Sequence, residues 1–242
     1  MNPAIPFPKL TFVELRKMVD TRAGFWLQVA TAVITIAAVV LVGIVGEDTD
    51  RTLRSMLSVA VAPATILLPI IGILLVSSEW TQRTALITFT LVPKRLRVIN
   101  AKVAAGLVLG VIVFAIAVVV ALAATAAFGG DFELGAAVFG QTAVVVLTGM
   151  LIGIGFGAAF LSSAPAIVLY FALPLALGIL GEFNFFDDIA EWVDTGRTTT
   201  PLMEHAASGT EWAQFAVSML VWMVLPLAIG IYRITRGEIR AA

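Results

Sequence analysis

The chain has 242 residues, of which 60% are hydrophobic and 13% charged, with a formal net charge of −1 and no cysteine. Soluble domains carry about 25% charged residues, so the apolar surplus points to lipid rather than water as the solvent of this fold. The near-neutral balance excludes the basic excess of a nucleic-acid binder, and the lack of thiols excludes a disulfide framework or a thiolate metal site.

Residues 8–22 put Phe12, Leu15, Met18 and Val19 on one helical stripe, with Arg16, Lys17 and Asp20 elsewhere. That is the pattern of a short elbow helix lying in a membrane interface. Six apolar runs follow, at 25–46, 57–77, 103–128, 135–161, 164–181 and 213–232, and none contains Asp, Glu, Lys, Arg or His. Each is about the length that crosses a bilayer as a helix. The first is too long for a signal peptide and lacks a small-residue cleavage pattern, so it reads as an uncleaved span. The expected fold is an all-α membrane protein, one domain over 1–242 with six transmembrane helices. Ser162 and Ser163 separate the fourth and fifth runs, and Pro165 favours a tight turn there over one continuous helix.

Within the runs, Pro63, Pro69 and Pro174 each remove a backbone donor and are candidate hinges, although proline is also tolerated in membrane helices for packing. Gly149, Gly153 and Gly157 recur every four residues, which lets a neighbouring helix approach closely. Gly153, Gly155 and Ala158 also spell a dinucleotide fingerprint, but inside an apolar run they lack the strand-to-helix turn that motif needs. Between the last two runs, residues 183–194 set Phe185, Ile189, Trp192 and Val193 against Asp187, Asp188, Glu191 and Asp194, the signature of a helix resting on the membrane surface. These acids read as that helix's solvated face rather than a cation site. His205 is the single histidine, with no other His or Cys to complete a metal centre.

Six crossings sort the charges onto two sides. With both termini cytoplasmic, the inner side holds Lys9, Arg16, Lys17, Arg22, Arg83, Lys94, Arg95, Arg97, Lys102, Arg233, Arg236 and Arg240, twelve of fifteen bases, while Arg51, Arg54 and Arg197 lie outside. Glu14, Asp20, Glu79 and Glu238 are the inner acids. The asymmetry follows the positive-inside rule. Ionisable residues at membrane depth mark ion-coupled transporters, and their absence from the runs argues against that class.

The one long inner loop, 78–102, carries Glu79, Trp80, Thr84, an apolar run from Leu86 to Val92, Pro93, Arg95 and Lys102. At this spacing it resembles the loop between spans two and three of the type-two permeases of ATP-binding-cassette (ABC) transporters, the membrane subunits of many bacterial drug, antibiotic and polysaccharide exporters. The elbow, six spans, outer helical segment and basic tail resemble that family's layout. It departs at Arg83, where the family carries glycine. The resemblance implies a multi-pass permease of the bacterial plasma membrane, exporting a hydrophobic or amphipathic drug, antibiotic or lipid. It implies a coupling helix in the loop that docks on a cytoplasmic ABC ATPase, through Leu86, Ile87, Phe89 and Leu91 and the bases Lys94, Arg95 and Arg97. A second permease copy or paralogue would complete the pathway. The chain has no Gly-x-x-x-x-Gly-Lys-Ser/Thr loop, so it is not expected to be an enzyme or to bind a cofactor itself; ATP and magnesium would sit on the partner ATPase. Two other readings stand beside this one: a membrane signalling or resistance subunit of the same fold, and an ion-coupled transporter.

Overall fold

A computed structural model describes residues 5–237; Glu238 and Arg240, placed above on the inner side, lie outside the described residues. The described residues contain no strand. The helices are α1 (Phe7–Asp20), α2 (Arg22–Val45), α3 (Leu53–Thr81), α4 (Ala85–Leu91), α5 (Arg95–Ala127), α6 (Ala136–Phe160), α7 (Ser163–Leu180), α8 (Asn184–Val193), α9 (Thr195–Glu204), α10 (Gly209–Met219) and α11 (Leu225–Arg236). A π-helical turn, Leu220–Val224, joins α10 and α11. Six helices are long and apolar enough to cross a bilayer: α2, α3, α5, α6, α7 and the composite Gly209–Arg236. The chain is therefore, by length and composition, a multi-pass membrane protein.

The helices overrun the apolar runs at several ends. α3 begins at Leu53 and carries Glu79, α5 begins at Arg95 and carries Lys102, and the sixth helix starts at Gly209. The reason at α3 is a cap: the Thr52 hydroxyl accepts from Ser55 N at 3.3 Å, so the helix starts before its hydrophobic stretch does. The sixth starts on a capping box in which Ser208 and Glu211 satisfy each other's backbone donors. The turn between α6 and α7 is as tight as expected, with Leu161 in the left-handed region at φ +52°. α9 is a helix the sequence pattern did not reveal. Asp194 caps it, its carboxylate accepting from Gly196 N at 2.7 Å.

α3 is the hub. Met56, Leu57, Ala60, Val61, Ala64, Leu68, Ile71 and Leu75 are buried along it, and it packs against α2, α5, α6 and α7. The tightest seam is with α6. A Cβ added to Gly153 would lie 2.1 Å from Pro69 O, one on Gly157 2.7 Å from Ile73 O, and one on Gly72 2.8 Å from Met150 O. The backbones are thus nearly in contact, which a stripe of small residues permits and any side chain forbids. Gly149, one turn beyond, is looser, with Pro69 Cγ 3.8 Å from its virtual Cβ. Pro63 and Pro69 are both buried in α3. Pro174 lies in α7, whose one buried member among the described residues is Ala166.

One end of the bundle gathers the bases. Ser77 on α3 shares a hydroxyl contact of 2.8 Å with Ser163 at the start of α7, and Arg95 Nη1 donates to Ile234 O at 2.7 Å and Gly237 O at 2.9 Å. At the opposite end α9 is pinned to α6 by Gln141, whose amide donates to Leu202 O and His205 O, both at 2.8 Å, and accepts from Ala207 N. His205 pairs with Glu211 at 2.8 Å. α8 presents Phe185, Ile189 and Trp192 outward, with Phe183 exposed just before it, while Trp222 Nε1 in the π turn donates to Val193 O at the end of α8. Arg197 donates to Asp187 at 2.6 Å and to Gly181 O at 3.0 Å, tying α9 to the α7–α8 corner.

Overpacking a seam this close costs about 1–3 kcal/mol. Gly153→Val is accordingly expected to lower the melting temperature of the detergent-purified protein strongly, and Gly149→Ala to leave it within about a degree or two; equal effects of the two substitutions would contradict the seam.

Candidate functional site

The α3–α4 connection is built from a helix end. α3 stops at Thr81, and the next residues close a Schellman motif: Arg83 N donates to Trp80 O at 3.1 Å and Thr84 N donates to Glu79 O at 2.8 Å. This motif needs a left-handed residue at its centre, and Arg83 occupies that position at φ +59°. Glycine enters this region freely, whereas an L side chain strains there. Arg83 thus holds, with some strain, a conformation that glycine would enter freely. α4 follows at once and is ended before Pro93, which has no N–H to continue it.

Two buried acids and two bases lie behind this turn. Glu14 on α1 and Lys102 on α5 are 1% and 2% exposed, and Glu79 on α3 is 4% exposed. Lys102 Nζ donates to Glu14 Oε2 at 2.7 Å and to Leu75 O at 3.0 Å, and stands 3.2 Å from Glu79 Oε1. Lys17 Nζ, half-buried, donates to Glu14 Oε1 at 2.7 Å and to Glu79 Oε1 at 2.8 Å. Thr88 of α4 adds a third donor to Glu79 Oε1, at 3.2 Å. The set is charge-balanced and joins α1, α3, α4 and α5 at one point. Burial alone would lower the pKa of Lys17, but the facing carboxylates of Glu14 and Glu79 and the hydrogen bonds to them outweigh it and raise it.

The loop side chains divide by side. Leu86, Ile87 and Leu91 are on the outer surface of α4, with Lys94 and Thr84 beside them. Two residues expected to face a docking subunit do otherwise. Phe89 is 8% exposed, packed against Trp80 with ring centroids 6.0 Å apart. Arg95 lies over the Phe89 ring at 5.6 Å and spends its Nη1 on the carbonyls that end α11. The physical reason is the helical period: on a seven-residue helix pinned by Thr88, Phe89 falls on the inward side.

α1 also differs from its expected face. Its buried residues are Leu10, Glu14 and Met18, spaced four apart, while Phe12, Val13 and Val19 are on the outside. Glu14 and Lys17 were read as elbow and topology charges, and the structure makes them half of the buried network. The signal available was an acid flanked at four residues on each side by Leu10 and Met18, an apolar stripe interrupted by a carboxylate that needs a partner. Beside the network lies a cavity of about 720 Å³ between α1, α3 and α4. Among the described residues no group of three metal-ligating side chains comes together.

No protein-family model matches this chain, and no curated protein matches it.

Removing one partner of a buried pair costs about 3–5 kcal/mol because the other charge is stranded. Lys102→Met should therefore destabilise severely, and Glu14→Gln in that background should recover part of the loss; strict additivity of the two in thermal melts would contradict the coupling. Because the pKa of Lys17 is raised, its contribution is full below the ordinary 10.5 and is lost as pH rises through the folded-state value. The melting-temperature difference between wild type and Lys17→Met should stay flat through neutral pH and shrink only above 10.5.

Proposed function

We propose that the chain is the membrane permease subunit of an ATP-driven exporter, with α4 as the element that an ATPase subunit grips. The observation that carries this is the attachment of α4. It is a short helix with an exposed apolar face of Leu86, Ile87 and Leu91, the last two also at the edge of the cavity beside α1, held to the spanning helices by a closed helix cap and by Thr88 on the buried charge network. Coupling between distant sites needs packed, rigid elements rather than a slack loop, and this connection has no slack segment between α3 and α4. The resemblance of 78–102 to the coupling loop of type-two permeases supports the same reading.

In this reading α1 is the elbow in the inner interface, α4 and both termini are cytoplasmic, and α8 rests on the outer surface of a bacterial plasma membrane. The clustering of bases at the end that holds α1 and α4 agrees with the positive-inside rule. Two such permeases, or this chain and a paralogue, pair through the lightly covered α2 and α7, and each sits over an ATPase that holds ATP and magnesium. Closure of the ATPases pushes α4. The push passes through Glu79 to α3, through Lys102 to α5 and through Glu14 to α1, and α3 carries α6 with it because their backbones touch. The cargo is a hydrophobic or amphipathic compound.

The buried charges do not favour an ion-coupled transporter. Glu79 is two residues from the end of α3, and each acid in the network faces both bases.

A tagged chain expressed with its cellular ATPases should bring one down, and Leu86→Asp, Ile87→Asp or Leu91→Asp should abolish this while leaving the melting temperature near wild type. Phe89→Ala should do the reverse, lowering stability by about 3–5 kcal/mol through a core cavity. Copurification that survives all three aspartates would overturn the assignment of α4.

A further inference from the structure

Along α3 the wall of the cavity beside the charge network is graded in polarity, while Ile5 and Val13 at α1 and Ile87, Leu91 and Val92 at α4 add to the lining. On α3 its lining runs from Ile71 and Leu74 through Leu75 to Ser78, Glu79 and Gln82, the apolar part lying toward the middle of the helix and the polar part at its end. Ile71 to Gln82 spans about 16 Å of helix, which is half the roughly 30 Å of a bilayer's hydrocarbon, one leaflet. The volume, about 720 Å³, is that of a small-molecule pocket rather than a packing fault.

The polar end carries two complementary deficits. Glu79 Oε1 has Lys17, Thr88 and Lys102 around it, yet its Oε2 is buried without a hydrogen-bond partner among the described residues. A buried acceptor in that state wants a donor. Lys102 has none to spare, since its three N–H groups meet Glu14, Leu75 and Glu79. Lys17 has two N–H bonds made and one left, and it lines the cavity, as does Lys9 about two turns earlier on α1. The missing group is therefore one that both donates from a cation, to Glu79, and accepts on an anion, from Lys17 and Lys9. The terminal torsion of a glutamate is soft, but the carboxylate turns as one group, so bringing Oε2 to the cavity exchanges the longer Thr88 contact on Oε1 for the incoming donor.

We propose that this pocket binds one phospholipid of the adjoining leaflet whose headgroup ends in a primary ammonium. The ammonium donates to the Glu79 carboxylate, the phosphate accepts from Lys17 and Lys9, and one acyl chain lies along Leu75, Leu74 and Ile71. Lipid binding here requires no ATPase on α4, although Ile87 and Leu91 of that helix also line the cavity.

The test uses the full-length protein, delipidated in detergent and examined by native mass spectrometry with acyl-matched phosphatidylethanolamine, its N-methyl and N,N-dimethyl forms, phosphatidylcholine and phosphatidylglycerol. Retention should fall stepwise as N–H donors are replaced by methyl groups, with phosphatidylethanolamine held about tenfold over phosphatidylcholine, the worth of a charged hydrogen bond. Leu74→Trp, which fills the apolar end without touching the charges, should abolish the retained lipid, and Glu79→Gln should flatten the methylation series. Equal retention of the ethanolamine and choline lipids, preference for phosphatidylglycerol, or selectivity that persists in Leu74→Trp would each overturn the proposal. The methylation series needs only the wild-type protein, so it decides the matter even where a variant fails to fold.

Discussion

Two buried acids, a buried lysine and a half-buried one, set against each other, govern how this protein is put together at one end. Isolated, any of them would be too costly to bury; as a set, Glu14, Lys17, Glu79 and Lys102 leave no net charge. Apolar packing alone would let α1 slide over α3 and α5, because hydrophobic contact is non-directional. The ion pairs have direction. They fix the register of three helices at once, and Thr88 extends that register to α4.

The rest of the basic end follows from this anchor. α3 and α5 extend beyond their apolar stretches so that Glu79 and Lys102 can meet, and the Schellman turn at Arg83 sends the chain straight into α4. Arg95 then ties the start of α5 to the last carbonyls of α11, so first and last helices are joined to the same block. In the exporter reading, a push on α4 meets a body that is already held together by charge, cap and core.

Much of this was legible in the sequence. The six apolar helices, the turn at Ser162, the small-residue stripe on α6 and the helix at 183–194 are all local patterns, set by composition and period. Glu79 and Lys102 were singled out through the loop resemblance. What stayed hidden was pairing. Nothing in the spacing of Glu14 and Lys17 says that they lie against residues 62 and 88 positions away, because ion-pair partners distant in sequence leave no periodic trace. α9 was missed for a related reason: its Thr-rich stretch has only Leu202 and Met203 as large apolar residues to mark a face, and it is held by Gln141 and by the Asp194 cap rather than by propensity. Phe89 was misplaced because a seven-residue helix has no face of its own until something fixes its rotation, here the bond from Thr88; Arg95, the first residue of α5, was misplaced because the carbonyls it meets, Ile234 O and Gly237 O, lie far away in the sequence.

The glycine seam between α3 and α6 sets where shape change is affordable. Backbones that touch without intervening side chains cannot slide by swapping rotamers, since there are no rotamers to swap. Any large excursion of this protein must therefore be taken up at joints made of longer side chains, and the seating of α7, where Ile167, Leu169, Tyr170 and Leu177 pack around the buried Ala166, is a joint of that kind.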